Sequence, residues 1–152
     1  VEGDLPPHPD GLLRMKISVT DDLAACHALR RQVFIDEQGV PEAEEIDDLD
    51  AGAIHLLAHD GTRAIGTARL LLHGTVGKIG RVCVSADCRG TGVGAALVRA
   101  AVAELRRVPG LRQVTLGSQV HAMGFYEKLG FRAVGQDYLD AGIVHRDMVL
   151  DL

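Results

Sequence analysis

The chain has 152 residues, 47% hydrophobic and 24% charged, with a formal net charge of −5. That length suits one domain with a full core, and the balance is that of a soluble globular protein. The negative charge argues against a nucleic-acid surface, and no apolar run approaches the roughly 20 residues needed to span a bilayer.

Residues 1–13 carry Pro6, Pro7, Pro9, Gly3 and Gly11 and read as a flexible leader without signal-peptide features, ahead of a single domain at 14–152. Cys26, Cys83 and Cys88 form no Cys-x-x-Cys pair, which fits reduced thiols in a cytoplasmic protein. Arg14 to Thr20 alternates apolar and polar residues and predicts a half-buried strand. Thr20, followed by Asp21 and Asp22, predicts a capped helix start. Leu23, Cys26, Leu29 and Val33 then share one helical face up to a stop near Gln38-Gly39-Val40-Pro41. Six acids without a base follow: Glu42, Glu44, Glu45, Asp47, Asp48 and Asp50. They read as a solvated loop or, alternatively, as part of a pocket for a cationic amine.

Ala53–His59 and Ala64–His73 predict antiparallel strands joined at Asp60-Gly61, with Gly66 at a bulge or a close approach. A third strand is expected over Lys78–Ser85. It runs into Arg89-Gly90-Thr91-Gly92-Val93-Gly94 and then a strong helix former with Val93, Leu97, Ala101 and Leu105 on one stripe. Strand, glycine loop and helix turn several backbone N–H groups toward one point, where the helix dipole adds partial positive charge. Such a place suits a phosphate or pyrophosphate. Gly94 is followed by Ala95-Ala96 rather than Lys-Ser/Thr, so the loop is not of the Walker type. No acidic residue stands about 20 residues on, as a dinucleotide fingerprint requires. Val114-Thr115-Leu116 predicts a buried strand parallel to the third, reached by a right-handed crossover. Another helix is expected from Ser118 or Gln119 to Leu129-Gly130. Two closing strands then span Arg132–Tyr138 and Ile143–Leu150.

Arg89-x-x-Gly92-x-Gly94 resembles the pyrophosphate loop of the GCN5-related N-acetyltransferase (GNAT) superfamily. Phe125-Tyr126-Glu127-Lys128-Leu129-Gly130-Phe131 resembles the FYEKLGF signature of the same superfamily. Leu29 to Pro41, Glu45-Ile46-Asp47, Asp50, His55 and the tail Tyr138–Met148 look like its ElaA/YjcF-type branch. Together the resemblance covers about residues 15–150. It implies an α/β (α+β) GNAT fold: a mixed central sheet of about six to seven strands, with a splayed parallel pair and about four helices.

The resemblance further implies an acyltransferase that moves acetyl from acetyl-CoA to a primary amine on a small molecule or peptide by direct attack in a ternary complex, without a metal. An acyl-CoA-binding sensor or interaction module with little turnover is the alternative. A homodimer is compatible with what is common in the superfamily; no nucleic acid or membrane partner is expected. The N–H groups of Arg89, Gly90, Thr91, Gly92, Val93 and Gly94 would hold the pyrophosphate. Val82, Cys83 and Val84 would run beside the pantetheine arm, and Gln119 and Tyr126 would complete the cofactor site. Tyr126 matches the tyrosine that protonates the leaving CoA thiolate. A phenol of pKa about 10 and a thiol near 8.5 are mismatched at equilibrium, yet the phenol still stabilises developing charge by a hydrogen bond. Glu45, Asp47, Asp50, His55, His121, Asp140 and His145 are candidates for accepting the amine proton, with a water relay as the alternative; His121 and His145, whose imidazoles titrate near pH 6.5, lead them. Phe34, Glu37, Glu45, Asp47, His55 and Arg81 are the expected substrate-pocket residues. Arg81 stands where many members have an acid. Covalent transfer through Cys83 is disfavoured by its apolar strand, and Cys88 reads as a bystander beside the phosphate loop.

Overall fold

In the computed structural model, which describes residues 15–152, the chain begins with strand β1 (Met15–Thr20). The expected leader at 1–13 lies outside the described residues. Met15 and Ile17 are half-buried as the alternation predicts, but Val19 is 53% exposed on what proves to be an edge strand. Asp22, not Thr20, caps the first helix. Its carboxylate accepts the Ala25 N–H at 3.1 Å, while the Thr20 hydroxyl accepts the Asp22 N–H at 3.0 Å.

Helix α1 (Leu23–Arg30) continues directly into a π-helical segment, Arg31–Glu37, so the predicted apolar face is kept. Cys26, Leu29 and Val33 are buried along it. A short helix α2 (Glu42–Glu45) follows Pro41. Strands β2 (Ile54–Asp60), β3 (Arg63–His73) and β4 (Val76–Val84) then form an antiparallel meander. Gly66 lies in β3 next to a register shift, with Leu97 packed over it. Helix α3 (Val93–Arg106) crosses over to strand β5 (Gln113–Gln119), which runs parallel to β4. Helix α4 (Met123–Lys128) and the hairpin of β6 (Arg132–Asp140) and β7 (Ile143–Asp151) complete the chain. The last helix starts later than the sequence predicts, because Ser118 and Gln119 remain in the ladder opposite Arg146 and His145. Only after a 3-10 turn at Val120–Ala122 does α4 begin.

One seven-stranded sheet results, in the order β1-β2-β3-β4-β5-β7-β6. Successive strand residues point to opposite faces. Thus Leu56 packs with the α3 stripe (Val93, Leu97, Val98, Ala101, Leu105), while its neighbour Leu57 packs with Cys26, Leu29 and Val33 of the α1 layer. The sheet is thereby covered on both sides.

Two irregularities place the functional cleft. The parallel pair is joined only at Val76–Gln113, Gly77–Val114 and Lys78–Thr115, and beyond these pairs β4 and β5 part. Opposite β3, strand β4 carries one extra residue between Gly80 and Cys83, and Arg81 there has φ +50°, a left-handed conformation costly for a non-glycine residue. Leu97 is fully buried under the sheet. Leu97→Ala is expected to lower unfolding stability by about 2–5 kcal/mol, read from urea titration.

Candidate active site

The parting of β4 and β5 leaves the facing edge of each without a strand partner over Ile79–Val84 and Leu116–Gln119. Between them opens a cleft of about 340 Å³. Phe34, Glu45, Arg81, Val82, Gln119, His121, Tyr126 and His145, all expected at the site from sequence, line it. Glu44 of the acidic run, Tyr138 of the family-like tail and Asp140, a further candidate proton acceptor, line it too, as does Lys78, which nothing in its local sequence marks.

The glycine loop follows the C-terminal end of β4, and its residues Arg89–Gly94 are not among those lining the cleft. Gly90 and Gly92 have φ of +78° and +95°, and a Cβ at either would meet no protein atom within 4 Å. The loop therefore uses glycine for backbone conformation, and its outer surface stays open to close approach. Gly92 starts α3 with no side-chain cap, so the first-turn N–H groups receive no local acceptor. Thr91 is turned inward and donates its hydroxyl to the Cys88 carbonyl. Arg89 reaches back along the loop, donating to the Val84 carbonyl at 3.1 Å and to Glu37 at 2.5 Å. Glu37 is therefore an anchor for the loop, outside the cleft lining.

Tyr126 opens on the cleft from α4, held edge-on between Phe125 (centroids 4.9 Å) and Phe131 (6.1 Å). Burial pushes its phenol pKa up, so the hydroxyl keeps its proton at neutral pH. That hydroxyl has no hydrogen-bond partner among the described residues. His145 Nδ1 lies 2.7 Å from the Ile143 carbonyl, which only accepts; Nδ1 must carry the proton, and Nε2 of the neutral ring is left as an acceptor. His121 Nε2 pairs with Gln119 Oε1 at 2.7 Å.

Cys83 faces away from the cleft into the cluster of Cys26, Leu29, Val33 and Leu57, where burial pushes its thiol up to about 12. Such a thiol is not a nucleophile at neutral pH. Cys88 is buried as well, with 1% exposure.

The acidic segment divides: Glu42, Glu44 and Asp48 are exposed, as a solvated loop would have them, whereas Glu45, Asp47 and Asp50 are not. These three alternate with arginines around a closed ring. Arg81 Nε donates to Glu45 at 3.0 Å; Glu45 accepts from Arg30 Nε at 2.7 Å; and Arg30 Nη1 donates to Asp50 at 2.8 Å. Asp50 accepts from Arg69 Nη1 at 3.1 Å, Arg69 donates to Asp47 at 2.7 Å, and Asp47 returns to Arg81 Nη2 at 3.2 Å. His27 Nε2 also meets Asp50, at 2.9 Å, and His55 donates from Nε2 to the Asp50 carbonyl at 2.8 Å. Asp47, a member of the ring, and His55, which braces it through the Asp50 carbonyl, were expected in the substrate pocket and do not line the cleft. Glu45 and Arg81 belong to the ring and line the cleft as well. Burial acts to raise the Asp50 carboxyl, but hydrogen bonds from Arg30, His27 and Arg69 and the Arg30 charge hold it well below the usual carboxylate range. Asp47 is lowered against burial chiefly by Arg69.

A family model described as an acetyltransferase (GNAT) domain matches residues 19–152. The uncharacterized N-acetyltransferase YjcF of Bacillus subtilis is 36% identical over 124 residues, 81% of this chain and 88% of its own length. Protein ElaA of Escherichia coli is 33% identical over 136 residues, 86% of this chain and 88% of its own; its crystal structure superposes with a TM-score of 0.80, covering 90% and 99% of the two chains. An acyl-CoA N-acyltransferase from Pseudomonas aeruginosa superposes with a TM-score of 0.81 at 30% identity, over 90% and 99% of the two chains. A more distant chain of the same fold, from Elizabethkingia anophelis, was solved with acetyl-CoA bound (TM-score 0.69, 15% identity, 91% and 99% coverage).

Two outcomes follow from the ring. Arg30→Met should destabilise by about 3 kcal/mol, the lower end for an opened buried pair, since Glu45 and Asp50 each keep a second arginine; chemical denaturation measures it. Asp47 and Asp50 titrate lower folded than unfolded, so their stabilisation is complete above their unfolded value of about 4 and drains away as pH falls below it. Urea midpoints at pH 6 and pH 3 should differ less in Asp50→Asn than in the wild type.

Proposed function

This chain belongs to the GNAT acetyltransferase family, and from that premise we propose that it is an N-acetyltransferase joining acetyl-CoA and a primary amine in one ternary complex. The observation that carries the reading is the cleft where β4 and β5 part, with a protonated, unpartnered tyrosine opening on it, together with the uncapped glycine loop that follows β4.

The backbone N–H groups of Arg89–Gly94 bind the pyrophosphate, helped by the positive end of α3. The unpaired edge of β4 at Val82–Val84 offers N–H and C=O groups to the pantetheine amides, as an added strand would use them. Gln119 faces the same channel from β5. The amine enters from the side walled by Phe34, Glu44, Glu45 and Arg81. As the amine nitrogen bonds to the acetyl carbon and the carbon–sulfur bond breaks, Tyr126 donates its proton to the departing sulfur, and His145 Nε2 accepts the proton lost by the amine. His121 borders the same space as a second acceptor for that proton. Cys83 takes no part.

The ring changes the substrate argument. Glu45, Asp47 and Asp50 are already matched by three arginines, so they exert little pull on a polycation. Acceptor choice then rests on the unpaired cleft groups and on shape.

Purified protein incubated with acetyl-CoA and a panel of primary amines should release CoA with at least one of them. Tyr126→Phe is expected to lower kcat by on the order of tenfold to a hundredfold while leaving the acetyl-CoA Kd nearly unchanged. Tight acetyl-CoA binding with no amine-dependent release would instead support an acyl-CoA-binding module.

A further inference from the structure

Tyr138, His145, Asp147 and Gly117 come from three neighbouring strands and share one face of the sheet. Tyr138 of β6 is paired across to His145 of β7, and Asp147, two residues on, is paired to Gly117 of β5. The Tyr138 ring stacks on the His145 imidazole, with centroids 6.0 Å apart and planes 24° from parallel. Its hydroxyl continues past His145 and donates to Asp147 Oδ1 at 2.7 Å. The oxygen then lies directly over Gly117: a Cβ at that position would overlap it. Gly117, Tyr138 and His145 all line the cleft.

We infer that Tyr138 is a positioning residue for His145, and that Gly117 supplies the space in which it lies. The inference rests on the reading of His145 as acceptor of the amine proton. The imidazole is gripped at two places. Its Nδ1–H is tied to the Ile143 carbonyl, and its face is covered by a ring that cannot swing while the hydroxyl is held by Asp147. Together these fix both the tautomer and the direction of Nε2. Burial, then the bond to Asp147, pushes the Tyr138 phenol upward, so it stays a donor to Asp147 and does not compete for the substrate proton. A β5 residue larger than glycine would lift the hydroxyl off Asp147 and release the ring.

The test is a mutant cycle on the full chain, using Gly117→Ala, Tyr138→Ala and the double variant, with Tyr138→Phe as the mild case. With the best amine of the panel, Gly117→Ala should lower kcat by on the order of tenfold, the scale of a misplaced catalytic group, while the KM for acetyl-CoA moves less than about twofold. Adding Gly117→Ala to Tyr138→Ala should cost nothing further, because the side chain it displaces is already gone. Tyr138→Phe, which keeps the stack, should fall between. Nitrogen NMR of His145 gives a readout independent of turnover: one tautomer, protonated at Nδ1, in the wild type, and a mixture in Gly117→Ala. Additive losses in the cycle, or an unchanged tautomer in Gly117→Ala, would overturn the inference. Absence of turnover with every amine in the wild type would overturn the acetyltransferase reading, and the tautomer measurement would still decide the role of Tyr138.

Discussion

Three arginines from α1, β3 and β4 and three carboxylates from the Glu45–Asp50 stretch alternate around a circuit of six ion pairs. Most of these groups are buried: Arg30 is 1% exposed, Glu45 and Arg69 4%, and Asp50 8%. Charges taken this far from water are tolerated only when each finds close opposite partners. Here every member has two. The circuit therefore determines where the segment after the π-helical turn runs, since no apolar side chain in Glu44–Asp50 is buried deeply enough to anchor it.

The same circuit reaches the cleft through Arg81. Its backbone holds the left-handed bulge of β4, while its guanidinium bonds to Glu45, Asp47 and the carbonyls of Glu44 and Glu45. Strain of that kind persists when the surroundings over-determine it. Bulge and acidic segment are thus held by one residue, and the wall of the cleft formed by Glu45 and Arg81 is assembled by charge pairing as much as by apolar packing.

Much of this architecture was legible in the chain. The alternation in β1, the strands and turns read over Ala53–Ser85 and the Val93–Leu105 stripe identify the meander and the crossover, and the glycine loop with Phe125–Phe131 points to the cleft and its tyrosine. What was not legible depends on contacts between distant positions. Arg30, Arg69 and Arg81 are scattered over the sequence, so an isolated run of acids looks solvated until the fold supplies its cations. The late start of α4 has the same origin: β7 pairs with Ser118 and Gln119 and keeps them extended. The meeting of Tyr138 with Gly117 is also tertiary, because no local pattern says which glycine a tyrosine will overlie.

The parallel junction of β4 and β5 is three residue pairs long and lies between four strands on one side and three on the other. The ladder is therefore a zipper left open over most of this seam, and continuity there is borne by α3 and the apolar layer beneath it. A guest with amide groups of its own would close the zipper from within, so that filling the seam and stiffening the whole sheet become the same event.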